Sequence, residues 1–366
     1  MKIYVIGDNC FHYTSSVRQA LEILGNKVET IYINAFDRNS LNKIDYIKYK
    51  INKKTYLDNY YSHIKHKFIV ELNKFKPDII LNINANYHYE VIDKNIIEII
   101  KKQKIKLTTW YMDSIKRIES INQNIEDYDN VFVFEPDDVT YIKEKYPSVV
   151  VHYLPIGVAQ EIFSSEQHIK GNREFDISFV GSKTKNRLDI LEKVASYCYS
   201  KNKSMIVYGK YYENKSNVFR NCIDKIKFKL QYPNLYKFTT NKLLFGRDVN
   251  ELYCNTKISL NIHIDIHKGI NPRTFEILAG GNFELCDIRK DAKNLGLING
   301  ENIVFYKDAD DCIRQIEYFL EHFKEREKIA VNGSKLVHNK YMMNIVLKKY
   351  LDLVKLEKGI VYEKNR

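Results

Sequence analysis

No stretch of the chain runs apolar for the roughly eighteen residues that a membrane-spanning helix needs, so no such helix is expected. The opening MKIYVIGDN passes straight into a strand-like run and a charged loop, without the long apolar segment and cleavage site of a secretory leader. There is no CxxC pair. The six cysteines, Cys10, Cys198, Cys222, Cys254, Cys286 and Cys312, are widely scattered. That spacing argues against structural zinc and for buried free thiols in a reducing compartment. Neither a GxxxxGK[ST] phosphate loop, nor a GxGxxG dinucleotide turn, nor a solenoid repeat is found. Arginine is sparse, and no basic helix or base-stacking motif stands out, which argues against nucleic acid as a partner.

The net charge is nevertheless +12 and the pI about 9.1. Lys, Asn, Ile and Tyr are inflated along the whole chain, so the charge reads as a compositional bias rather than a patch. Phosphate-rich partners or an anionic membrane surface stay open. The expected location is the cytoplasm, with peripheral association at the inner face of the membrane open as well. At 366 residues, 44% hydrophobic and 28% charged, the chain suits a globular protein of two domains.

Short apolar runs alternate with helical periodicity. Strands are expected at 2–7, 27–33, 77–83, 105–111, 130–135 and 149–155, with helices at 16–24, 90–103 and 137–146 and a helical stretch within 39–75. The polar segment SSEQHIKGNRE (164–174) reads as a linker, after which the pattern restarts. Strands follow at 175–181, 204–209, 257–264 and 302–307, with helices at 187–199, 248–255, 310–322, 324–338 and 341–355. The segment 211–245 is basic and aromatic without a clear period; it reads as helical excursions or loops. It could meet an anionic acceptor or a membrane surface, a solvated lysine-rich face being the simpler reading. The fold class is therefore α/β: two Rossmann-like doubly wound domains facing across a cleft, at 1–157 and 172–340. The last helix, in 341–366, could return to the first domain.

Ligands of such folds sit outside the carboxyl ends of the strands, which directs attention to particular loops. FVGSKTKNR (179–187) is a strand, a Gly-Ser turn and a helix start, an anion site by its free N–H groups and helix dipole, with Lys183, Lys185 and Arg187 adding charge. In NPRTFEILAGGNFELCD (271–287), Asn271 caps a helix, Pro272 fits its first position, and Gly280 and Gly281 supply a left-handed end. Helix ends do not require Arg273 and Glu276. They lie three apart on one face, and an arginine in a first turn opposes the dipole unless it meets an anion. A phosphate for Arg273 and a ribose diol for Glu276 would account for both. NIHIDIH (261–267) sets His263, Asp265 and His267 on one strand face, but a polar strand end is preferred to a metal site. DAD (308–310) reads as a helix cap rather than a metal-binding DxD. In WYMDS (110–114), Asp113 follows a strand, where it serves equally as a base or as a helix start.

The order of these segments resembles the CgeB-like (spore maturation type) glycosyltransferases of the GT-B superfamily. The likeness spans nearly the whole chain and is weakest at 34–76 and 211–245. It is carried by GDN with SSVRQALEILGNKV, by WYMDS, by NVFVFEPDDVTYIKEKYPSVVVHYLPIG, and by FDISFVGS with the following arginine. Most specific is ELYCNTKISLNIH, then KGINPRTFEILAGGNFELCD, with EREKIAVNGSKLVHNKY after it. The resemblance implies sugar transfer from a nucleoside-diphosphate-sugar, a UDP-sugar first among them. The second domain would hold this donor. The acceptor, a surface glycan, lipid-linked precursor or protein, would sit on the first domain. It implies that Glu276 contacts the donor ribose, that Gly181, Ser182 and Arg187 flank the diphosphate, and that VYGKYY (207–212), with Tyr208, Gly209 and Lys210, is the base-side loop. Lys183, His263, Asn271 and Arg273 complete the expected donor set. Asp113, His12 and Asp8, in that order, are candidates for activating the acceptor. No metal and no cofactor besides the donor is expected, since lysines, Arg273 and helix dipoles can neutralise a leaving diphosphate. Two positions depart from related retaining enzymes: Lys268 stands where they carry a second glutamate, and Met112 where they carry a histidine. The stereochemical course is therefore open. A non-hydrolysing sugar-nucleotide epimerase and an inactive nucleotide-sugar-binding module are the alternatives.

Overall fold

A computed structural model describes residues 1–7, 12–33, 41–84, 91–115, 125–163, 173–212 and 218–363. The chain divides into two compact units, Met1–Ile156 with Met343–Arg366, and Gly157–Met342.

The first unit is built on six parallel strands: β1 (Lys2–Gly7), β2 (Lys27–Tyr32), β3 (Ile79–Asn84), β4 (Lys106–Tyr111), β5 (Asn130–Val133) and β6 (Val151–Tyr153). Their order is β2-β1-β3-β4-β5-β6. Between them run α1 (Tyr13–Ile23), α2 (Lys43–Ile51), α3 (Lys53–Phe75), α4 (Lys94–Lys102) and α5 (Pro136–Lys145). Strand side chains alternate between two cores. Tyr4, Ile6, Leu107 and Tyr111 belong to one, and Ile3, Val5 and Trp110 to the other. Burial on both faces is why these strands read as continuous apolar runs. The first core is covered by α3 through Leu57, Tyr61, Ile64, Phe68, Leu72 and Phe75, one face at helical spacing. The second is covered by α1 and by the chain's last helix (Met343–Glu363), which contributes Met343, Val346, Leu347, Tyr350, Leu351 and Val354. The strand order reverses between β1 and β3. Gly7 makes close packing possible there, because a Cβ on it would lie 2.8 Å from Ile83 Cβ and 2.9 Å from Thr14 Oγ1.

The second unit has five parallel strands, β7 (Phe175–Val180), β8 (Met205–Tyr208), β9 (Thr256–Asn261), β10 (Glu284–Asp287) and β11 (Val304–Tyr306), in the order β11-β10-β9-β7-β8. Its helices are α6 (Lys185–Ser200), α7 (Val218–Gln231), α8 (Leu235–Phe238), α9 (Gly246–Cys254), α10 (Pro272–Ala279), α11 (Ala309–Glu321) and α12 (Phe323–Lys340), and the chain's last helix is α13. The order reverses between β7 and β9, so the loops after these two strands flank this unit's switch point. Asp308 caps α11 by accepting from the N–H groups of Asp310 and Asp311, as a cap reading of DAD requires. At the end of α10, Asn282 N–H bonds to Ile277 O and Gly281 N–H to Leu278 O. This is a Schellman end. Only Gly281 is left-handed (φ 69°); Gly280 has φ −70°.

Residues 218–231 form one regular helix, the helical alternative for the 211–245 segment. Two expectations need correction. β9 stops at Asn261, three residues short, because the chain turns there: His263 N–H bonds to Asp287 and His267 N–H to Ile264 O. His263, Asp265 and His267 therefore share no strand face. Finally, the described cysteines are free, but Cys222 is exposed and Cys254 half-buried, with only Cys198, Cys286 and Cys312 buried.

Candidate functional site

The carboxyl edge of the second sheet gathers most of the expected donor residues. After β7 the chain passes Gly181 and Ser182 into α6, which Thr184 caps through the N–H of Arg187. Gly181 and Gly209, at the ends of neighbouring strands, touch through bare backbone. A Cβ on Gly209 would lie 2.2 Å from Gly181 O, and one on Gly181 would lie 2.7 Å from Phe179 Cζ. The 209–212 loop is tied down on both sides. Tyr211 donates its hydroxyl to Gly181 O (3.1 Å), and Asn241 accepts from the N–H groups of Tyr211 and Tyr212. Lys183 Nζ, on an exposed side chain, donates to Tyr211 O at 2.9 Å. Tyr208 is half-buried at the end of β8, and Lys210 is exposed.

Arg187 sits in the first turn of α6 with 7% exposure. Its Nε donates to Ile262 O (2.7 Å), and Nη1 to both the carbonyl and the hydroxyl of Ser182. It thus bridges the two loops of the switch point, beside the Phe179 ring. Three of its five donor positions are already engaged or shared in this way, so the side chain holds the Gly-Ser turn in place. Burial, and after it the charge of Arg273, lower its pKa to about 10.

Arg273 lies in the first turn of α10, where no acidic residue offsets it. Its Nη1 donates to the buried Tyr253 hydroxyl at 2.6 Å and lies 3.7 Å from Glu276 Oε2. Burial raises the Glu276 carboxyl above its ordinary value, and the Arg273 charge opposes the shift. The side chain keeps 18% of its surface open. Two guanidinium groups are thus held within electrostatic reach of one another, each at a helix N-terminus. Such a gathering of positive potential favours an anion beside it.

A buried network fixes α10 against the sheet. Asn261 Nδ2 reaches Asn271 Oδ1, Thr274 Oγ1 and Glu284 Oε1, while Asn271 Nδ2 returns to Asn261 Oδ1. Thr274 Oγ1 also donates to Glu284 Oε1. Burial raises the Glu284 carboxyl to about 7. Asn271 is the helix cap, as expected, accepting from Thr274 N–H. His263 departs from expectation. It is fully buried, its Nδ1 is 2.7 Å from Asp287 Oδ1, and its Nε2 accepts from Asn271 N–H. Both ring nitrogens are spent, so His263 orients α10 and has none left for a donor. Burial lowers its pKa, with Asp287 opposing, and the ring is neutral with its proton on Nδ1. Burial also acts on Asp287 in the raising direction, but the bonds from His263 and the Arg289 charge hold it below the ordinary range. The thiol of Cys286 completes a close His263–Cys286–Asp287 group, and burial pushes that thiol well up. Arg289 is bound to the other carboxylate oxygen of Asp287, beside this group. Asp291 accepts from Ile270 N–H and shapes the loop before α10.

The expected acceptor-activating residues belong to the first unit. Asp8 lies outside the described residues. His12 is exposed in the left-handed region (φ 63°) at the start of α1. Asp113 is half-buried after β4, with Oδ1 accepting from Ser114 N–H, and the buried Asp138 holds that turn by accepting from Ser114 Oγ and Ile115 N–H.

Tyr211 falls in the expected base-side loop VYGKYY (207–212), whereas Tyr253, Thr184, Asp287 and Glu284 were not singled out. Of these, only Asp287 and Glu284 carried a signal, as polar residues inside an otherwise apolar strand.

Residues 189–352 match a family described as Glycosyl transferase-like. No curated protein matches the chain. Among solved structures, the fold is similar to sucrose-phosphate synthase from Thermosynechococcus elongatus, at 12% identity and a TM-score of 0.64, over 98% of this chain and 100% of that one. A glycosyltransferase from Rickettsia africae is similar at 15% identity and 0.63, over 97% of each chain. HepE from Anabaena, in complex with UDP and glucose, is similar at 11% and 0.59, over 97% of this chain and 99% of that one. The architecture is that of the GT-B glycosyltransferases.

Proposed function

We propose that this chain is a glycosyltransferase that takes a sugar from a nucleoside-diphosphate donor, a UDP-sugar first among them, and passes it to a glycan, lipid-linked or protein acceptor. The observation that carries the reading is the pairing of Arg187 and Arg273, each in the first turn of its own helix at the switch point of the second unit. A diphosphate there meets the N–H groups of two helix ends, the Gly181–Ser182 turn, Lys183 and Arg273. Glu276, beside Arg273, takes the ribose hydroxyls. Arg187 acts mainly by holding the Gly-Ser turn, and His263 with Asp287 by aiming α10. The ends of β8 and the 208–212 loop face the base. Because these charges grow more favourable as the leaving diphosphate gains charge, the reaction proposed requires no metal. Asp113 is the first candidate for drawing a proton from the acceptor, with His12 and Asp8 after it. The finer resemblance to the CgeB-like type supports the same assignment. The family match over 189–352 and the HepE structure with UDP and glucose support the donor class.

A thermal-shift series with UDP-, GDP-, dTDP- and CDP-sugars tests the reading. A UDP-sugar should raise the melting temperature most, and sugar release or transfer should follow. No stabilisation by any of the four would overturn it.

A further inference from the structure

Helix α7 turns an apolar stripe outward. Phe219, Ile223, Ile226 and Leu230 follow one another at spacings of four, three and four residues, which sets them in one narrow band along the helix. Phe219 is 74% and Leu230 77% exposed, with Ile226 at 59%. The helix already has a core face on its other side: Phe228 is buried among the rings of Tyr211, Tyr212 and Tyr232. The stripe is therefore a second apolar face, which a merely solvated lysine-rich helix would not carry. At 100° per residue, Arg220 and Lys227 border it on one flank and Lys229 on the other, with Lys225 further round toward the core face. Lys225 and Lys229 lie over the rings of Tyr212 and Tyr236, which keeps their stems along the apolar surface. The one carboxylate of the helix, Asp224, is on the inward half and half-buried.

We propose that α7 docks this protein on an anionic lipid surface, with the stripe entering the interface and the flanking cations meeting headgroup phosphates. An apolar band bordered on both sides by cations, with no carboxylate outward, complements a layer that is apolar beneath and anionic above. A second copy fits less well, since pairing α7 with itself would set its lysines against like charges. Among the described residues no helix is long and apolar enough to cross a membrane, so the contact is one of lying on the surface. The proposal goes beyond donor binding and does not depend on it.

The test is co-sedimentation of the full chain with vesicles of phosphatidylcholine, with and without phosphatidylglycerol. Binding should require the anionic lipid and weaken with salt. Ile226→Glu with Leu230→Glu should lower the bound fraction at least roughly tenfold. Lys227→Gln with Lys229→Gln should weaken it by a smaller factor, and serves as the test if the first pair disturbs folding. Nucleotide binding should be unchanged in both, which separates this proposal from the donor site. Equal binding to neutral and anionic vesicles, no binding to either, or unchanged binding by both variants would overturn it. So would a dimer in solution that the Leu230→Glu change dissociates without any vesicle binding by the wild type.

Discussion

Glu284→Gln isolates the energetic consequence of burying a carboxyl under α10. Glu284 is fully buried on β10, and burial raises its carboxyl from an ordinary 4.5 to about 7. The folded state therefore holds a proton that the unfolded state has released across this interval. Stability contributed by the protonated form is complete below about pH 4.5 and is lost as the pH rises to about 7, above which the profile levels off. The difference of about 2.5 units corresponds to about 3 kcal/mol. In a unit of this size that is roughly 6–12 °C in melting temperature. Glutamine does not titrate, yet offers Asn261 and Thr274 the same acceptor oxygen. The difference between wild-type and variant profiles should therefore carry the whole slope. Calorimetric unfolding between pH 4.5 and 8 measures it. Trp110, the single tryptophan, lies buried in the first unit, so its fluorescence reports a transition that the substitution should leave alone. Parallel profiles for the two proteins across that range would refute a proton held at Glu284.

Two further substitutions probe the same edge and its neighbour. Gly209→Ala places a Cβ 2.2 Å from Gly181 O, a backbone atom that cannot swing away. It should cost about 1–3 kcal/mol in thermal unfolding and weaken nucleotide binding by displacing the Gly-Ser turn. Asp308→Ala removes the cap of α11 and should cost about 1 kcal/mol in the same assay, without changing nucleotide affinity.

Much of this architecture is legible in the sequence. Parallel strands buried on both faces give unbroken apolar runs such as KIYVIG and FDISFV, and α13 declares its face through Met343, Val346, Leu347, Tyr350, Leu351 and Val354. The cap at Asn271, the Gly281 turn and the shared face of Arg273 and Glu276 are local features, readable at short range. What escaped is set by distant residues. β9 ends at Asn261 because Asp287, 24 residues beyond His263, takes the His263 N–H and imidazole. No periodicity in NIHIDIH could announce that. Arg187 read as a free cation, yet its partners Ile262 and Ser182 meet it only once β7 and β9 lie side by side. The period of α7 was present in Phe219, Ile223, Ile226 and Leu230, but the aromatic and lysine-rich surroundings obscured it.

The most direct measurement is calorimetric titration of UDP into wild type, Arg273→Ala and Glu276→Ala. Each removes a charged hydrogen-bonding group, so each should weaken binding by about 10- to 150-fold while the thermal unfolding stays near that of the wild type. Unchanged UDP affinity in both variants would contradict a donor site at the start of α10.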